Sequence, residues 1–156
     1  MRKKDSKQKK RYYSGRVKKS VLIKASKEKV WKKISNIVGL HEWVVDVKKT
    51  VYRSKIKRGV GAIRNISFLD GSEVEEHVVA WENKKYFSYL AVSGLPLRVY
   101  YATISMVPQT SKSNMITWQS YLNSKKMTKK EFDEFVCFLG GFYQASLQNL
   151  KSRLEK

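Results

Sequence analysis

Cysteine is nearly absent from this chain. Cys137 is the only one in 156 residues, which excludes an intramolecular disulfide and a thiolate metal cluster. A lone thiol fits a reducing, cytoplasmic compartment. Histidine is scarce too: His41 and His77 stand apart, without metal-site spacing, so neither a metal nor a cofactor is expected. No serine occupies a nucleophile elbow. Cys137, beside Phe138 on the flank of a predicted helix, is expected to be a buried, inert thiol. Long apolar runs are missing as well. The longest uncharged stretch, 135–150, is broken by Gly140, Gly141, Gln144, Ser146, Gln148 and Asn149, so neither a membrane span nor a secretion signal is expected.

Acidic residues are few, 13 against 33 Lys and Arg, for a net charge of +20. Ten of those basic residues fall within positions 1–19, against Asp5 alone. Residues 1–15 therefore read as a basic, disordered tail. Such an arm can solubilise the chain or make weak contact with nucleic acid or anionic membrane through phosphates. The remainder, 16–156, has the size of one domain and, at 42% hydrophobic and 12% aromatic residues, the apolar content to build a core. The strands show no aromatic-and-basic pattern of an RNA-binding sheet, and the basic excess is spread widely.

A strand is expected from Arg16 to Ala25. Ser26 can cap a helix over 27–35, with Glu28 in its first turn and Val30, Trp31 and Ile34 at helical spacing. The segment 36–43, with Leu40 and Trp43 around Gly39, reads as a second short helix. The period then becomes two: strands over 51–56, 62–69, 73–81, 86–92, 98–107 and 115–122 are separated by short, turn-rich links. Links of this kind imply hairpins in an antiparallel sheet. A three-residue loop over 70–72 sets Phe68 opposite Val74 and leaves Arg64 and Glu76 as diagonal neighbours on one apolar face.

The last element announces itself most strongly. Thr128 and Glu131 form a capping box, and Phe132, Phe135, Val136, Leu139, Tyr143, Leu147, Leu150 and Leu154 follow every three or four residues. This predicts a helix of about seven turns. The pair Gly140-Gly141 in its middle predicts a close approach or a bend.

The order of one strand, two short helices, six strands and a long helix resembles the START-like helix-grip superfamily (SRPBCC), in its polyketide cyclase/dehydrase and lipid transport branch. The resemblance covers 17–155. It rests on Val30-Trp31, Leu40, Trp43, Gly61 with Arg64, Gly71 with Glu76, Ser88-Tyr89, Tyr100-Tyr101, Pro108 and Thr117-Trp118. Many members carry a proline after the first strand, where this chain has Ser26-Lys27. The resemblance implies an α+β fold in which a curved antiparallel sheet of about seven strands wraps a long C-terminal helix. Between them would lie a cavity for a lipid, an aromatic metabolite or another small apolar molecule, and Gly140-Gly141 would border it.

Within that frame, Arg64 and Glu76 can anchor the polar end of a ligand or form a purely structural ion pair. Tyr89, Tyr100 and Trp118 offer ring surface with a polar tip, or serve as ordinary core. Phe135, Leu139 and Tyr143 line the inner stripe of the helix, as core and cavity wall at once. The leading reading is a non-enzymatic binder or carrier. A rival makes Glu76 the general acid or base of a cyclase or hydrolase. A third reading is a basic adaptor for nucleic acid or anionic membrane. No feature of the sequence sets an oligomeric state.

Overall fold

Alternation of charged and small or apolar residues starts the sheet earlier than Arg16. In the computed structural model, which describes residues 9–156, β1 spans Ser14–Ile23 and pairs along its whole length with the last strand. Arg16 and Lys18 face solvent, whereas Val17 is buried and the Phe132 ring lies 3.2 Å from where a Cβ on Gly15 would sit. Pairing reaches further back: Tyr13 N donates to Ser124 Oγ at 2.9 Å, and Arg11 bridges to Met127. Of the residues assigned to the tail by charge, Ser14 and Gly15 thus belong to β1 and Arg11 and Tyr13 are held beside the sheet, while residues 1–8 lie outside the described residues.

Ser26 caps α1 (Lys27–Ile34) by accepting from Lys29 N at 3.2 Å, and Val30, Trp31 and Ile34 are buried. The second short helix is reduced to one 3-10 turn, Leu40–Glu42. Gly39 precedes it outside helical geometry, and Asp46 takes a positive φ of 61°, so the chain turns before a regular helix can propagate.

Six strands follow: β2 (Val47–Tyr52), β3 (Ile63–Phe68), β4 (Glu73–Glu82), β5 (Tyr86–Ser93), β6 (Leu97–Thr110) and β7 (Ser113–Ser124). The order is β1-β7-β6-β5-β4-β3-β2, and every neighbouring pair is antiparallel. The strand expected over 51–56 is shifted toward the N-terminus. Ser54 Oγ takes the Ile63 N–H at 2.8 Å, ending the ladder, and the chain loops out through Gly59 and Gly61, both at positive φ.

The β3–β4 hairpin has a three-residue loop, displaced by one residue from the expected one. Phe68 N donates to Ser72 O at 2.9 Å, so the loop is Leu69 to Gly71. Gly71 supplies the left-handed position (φ 89°), and Asp70 Oδ1 accepts from Ser72 N at 2.9 Å. The register consequently moves by two residues. Ile66 faces Val74, and Arg64 lies directly opposite Glu76 rather than diagonal to it.

The capping box of Thr128 and Glu131 opens α2, Lys129–Leu154, which crosses the concave side of the sheet. Polar latches fix its C-terminal half. Lys24 N donates to Glu155 Oε1, Lys151 Nζ to Leu22 O and Lys29 Nζ to Leu154 O, each at 2.8 Å, and Val45 N donates to buried Ser146 Oγ at 3.1 Å.

Gly140 and Gly141 do not border a cavity. A Cβ on Gly140 would meet Lys19 Cε of β1 at 3.4 Å, and one on Gly141 would meet nothing within 4 Å. The close approach expected of this pair is therefore to β1 and involves Gly140 alone. Gly141→Ala is predicted to stabilise the protein by about 1 kcal/mol through helix propensity. Calorimetric unfolding checks this, and a lower melting temperature would contradict it.

Candidate functional site

Arg64 and Glu76 are the only buried charged side chains among the described residues, 2% and 6% exposed. Their opposed positions on β3 and β4 direct both toward α2. Arg64 Nε donates to Glu76 Oε1 at 2.9 Å, and Nη2 stands 2.8 Å from the same oxygen in an ion pair. Nη1 donates to the Ile37 carbonyl at 2.9 Å, and the guanidinium lies 4.9 Å from the centre of the Tyr89 ring. Glu76 Oε2 receives no hydrogen bond from the described residues. Burial pushes this carboxyl above its ordinary 4.5, and the adjacent Arg64 charge offsets only part of the rise.

An aromatic wall stands beside the pair. Trp118 Nε1 donates to Tyr89 Oη at 2.9 Å, and Trp118 stacks on Tyr143 with ring centroids 4.0 Å apart and planes 12° from parallel. The Tyr100 and Tyr143 hydroxyls are hydrogen-bonded to each other. Burial raises the pKa of Tyr89, Tyr100 and Tyr143, so these phenols stay neutral donors and acceptors. Trp43 packs 5.6 Å from Trp118, and its own Nε1 is buried without a partner among the described residues.

These side chains surround a cavity of about 60 Å³. Arg64, Glu76, Tyr89, Tyr100, Trp118 and Leu139 line it. Tyr143 does not; it backs Trp118 from behind. Phe135 lies outside as well, in a hollow of about 400 Å³ that also holds Leu69 and Phe138. Phe68, Val74, Leu95, Leu139 and Phe142 belong to both spaces and separate them.

Sequence reasoning missed Trp43, Phe68, Leu95 and Phe142 as wall residues. Phe142 had a signal, because it lies three residues beyond Leu139 on the same flank. Leu95 had none, since it belongs to a turn without periodicity.

Cys137 is exposed rather than buried. It lies two positions before Leu139, about 200° around the helix from the inward stripe. His77 sits outward beside Glu75, with Nε2 3.1 Å from Oε2. No described helix is long and apolar enough to cross a membrane.

The raised Glu76 pKa fixes the sign of a pH effect. An acid that binds its proton more tightly in the folded state contributes stability below pH 4.5, and this is lost as pH rises through the raised value. Glu76→Gln keeps a neutral side chain throughout. The stability of the variant relative to the parent is predicted to shift in the variant's favour between about pH 4 and pH 8, whatever their constant offset. Thermal unfolding of both proteins across that range measures it, and a shift of opposite sign would show that the Arg64 charge dominates.

The structure aligns with an uncharacterised protein from Bacillus thuringiensis at a TM-score of 0.78 and 19% identity, covering 91% of this chain and 100% of the other. It aligns with the Zhui aromatase/cyclase of Streptomyces sp. R1128 at 0.78 and 11%, covering 92% and 94%. Norcoclaurine synthase from Thalictrum flavum, solved with dopamine and hydroxybenzaldehyde, aligns at 0.68 and 19%, covering 90% and 86%. At such identities these structures share the fold. No curated protein matches the chain. A family model matches residues 14–155, nearly the whole described chain, and with the seven-stranded sheet gripping α2 it shows that this protein belongs to the polyketide cyclase/dehydrase and lipid transport family.

Proposed function

We propose that this protein binds and carries a compact amphipathic molecule between the concave sheet and α2, with the ligand's polar end donating a hydrogen bond to Glu76. The carrying observation is the division of labour on that carboxylate. Arg64 directs its one hydrogen bond to Glu76 and its closest ion-pair contact to Oε1, and Oε2 has no donor among the described residues. Trp43, which lines the same cavity, has a buried Nε1 without an acceptor among the described residues. An unmet buried polar group costs about 1–3 kcal/mol, so a molecule with a hydroxyl beside an aromatic or aliphatic body relieves the site as it fills it. Dopamine and hydroxybenzaldehyde, held by the norcoclaurine synthase of like fold, are compact aromatics of this kind. A single exposed thiol supports action in the reducing cytoplasm.

Size restricts the ligand. A cavity of about 60 Å³ has room for a few waters, whereas ligand pockets commonly hold about 300–1,000 Å³. Entry therefore requires the partition of Phe68, Leu95 and Phe142 to move and join the cavity to the hollow of about 400 Å³. Phe142→Ala is predicted to join them permanently. Binding of an apolar naphthalene dye should strengthen while stability falls by about 2 kcal/mol, less than for a fully buried Phe. Dye fluorescence and thermal melts measure both effects, and unchanged dye binding would remove Phe142 from the partition.

Calorimetric titration with a small phenol tests the anchor. In Glu76→Gln the amide turns its oxygen to Arg64 and leaves an N–H₂ group where Oε2 stood. Affinity is expected to fall about tenfold, the value of one hydrogen bond to a charged acceptor. Equal affinity would overturn the anchoring role. The raised pKa of Glu76 favours a second reading, in which it acts as general acid or base. Steady product formation that is lost in Glu76→Gln would replace the carrier by an enzyme.

A further inference from the structure

The convex face of the sheet, turned away from the cavity, gathers residues that no single strand presents as a motif. Pairing sets Arg16 of β1 opposite Tyr121 of β7, and Tyr121 opposite Tyr101 of β6. Tyr101 and Tyr121 are 40% and 43% exposed. Two residues before β1, Tyr12 is 48% exposed, with the Arg98 guanidinium 3.5 Å from its ring centre and Lys126 Nζ at 5.8 Å. Arg98 Nε donates to Asn123 Oδ1 at 2.9 Å, which fixes the guanidinium on this surface. A groove of about 310 Å³ runs between Arg16, Lys18, Tyr101 and Tyr121.

We propose that this face is a binding platform for single-stranded nucleic acid, with bases stacking on Tyr101 and Tyr121 and phosphates meeting Arg16, Lys18 and Arg98. Charge complementarity carries the choice of partner. Strands β1, β5, β6 and β7, which are contiguous in the sheet, contain no Asp or Glu. None of Arg16, Lys18 and Arg98 forms an ion pair among the described residues. The free cations suit a polyanion, and the two tyrosines on neighbouring strands suit a partner with ring faces to stack. Base-paired nucleic acid hides those faces in its own stack, so the strand must be single. A membrane lacks them, and the mouth of the outer hollow, where Leu69 and Phe138 are exposed, carries Asp46 and Asp70.

The test is fluorescence anisotropy of labelled oligo(U) and oligo(dT) with the full chain over a salt series, so that the basic N-terminus is common to every variant. Tyr101→Ala with Tyr121→Ala is expected to weaken binding at least about tenfold at fixed salt. The matching Phe substitutions should retain it. Arg16→Ala with Lys18→Ala should weaken binding and reduce the slope of log K against log salt by about 1.4. A charge-matched control, Lys48→Ala with Lys49→Ala on β2, at the far edge of the sheet, should change affinity less than the Arg16 and Lys18 pair. Thermal melts confirm that each variant is folded. A preference between the two oligomers identifies RNA or DNA as the source of the strand, either of which fits the proposal. Absence of binding overturns it, as does binding that ignores the tyrosines, a control pair as damaging as Arg16 and Lys18, or tighter binding to phosphatidylglycerol vesicles than to either oligomer at equal salt.

Discussion

The buried pair of Arg64 and Glu76 is the constraint around which this molecule is arranged. Taking two charges out of water costs several kcal/mol each, and their attraction repays this only with good geometry and further hydrogen bonds. The fold supplies both. Direct cross-strand opposition brings guanidinium and carboxylate together, the Ile37 carbonyl takes a third N–H, and the Tyr89 ring supports the guanidinium. Through Ile37 the pair also ties the segment between α1 and β2 to the sheet, and so positions Leu40, Trp43 and Val44 over the cavity. What this network does not satisfy, Glu76 Oε2 and Trp43 Nε1, is as informative as what it does.

The rest of the interior follows from that polar centre. Neutral phenols and the Trp118 indole consume one another's hydrogen-bonding capacity, leaving apolar ring surface as the lining. Such a wall selects for an apolar body with one polar end. The space is narrow, and Phe68, Leu95 and Phe142 stand between it and the larger outer hollow.

Much of this was legible in the residues. The capping box and apolar stripe located α2, period-two segments with turn-rich links located the sheet, and parity alone put Arg64 and Glu76 on the inward face. The errors have physical causes. The hairpin register depended on which residue takes the left-handed conformation; Gly71 does so, and the loop begins one residue earlier than expected. β2 was misplaced because Ser54, not a sequence break, ends its ladder. The glycine pair and Cys137 were misjudged because inward and outward sides of a helix differ by one residue's rotation of about 100°. Tyr101 and Tyr121 meet Arg16 only through cross-strand pairing, which no linear motif displays.

The central claim, that Glu76 Oε2 and Trp43 Nε1 are the open polar groups of a ligand cavity, is tested most directly by the indole N–H resonances during titration with a small phenol. Trp31 Nε1 is engaged by Asn83 and Trp118 Nε1 by Tyr89, whereas Trp43 Nε1 is unpartnered among the described residues. The account predicts that the Trp43 signal moves furthest, that of Trp118 less, and that of Trp31 stays in place. Perturbations confined to Leu69, Phe135 and Phe138 of the outer hollow, with Trp43 unmoved, would contradict it.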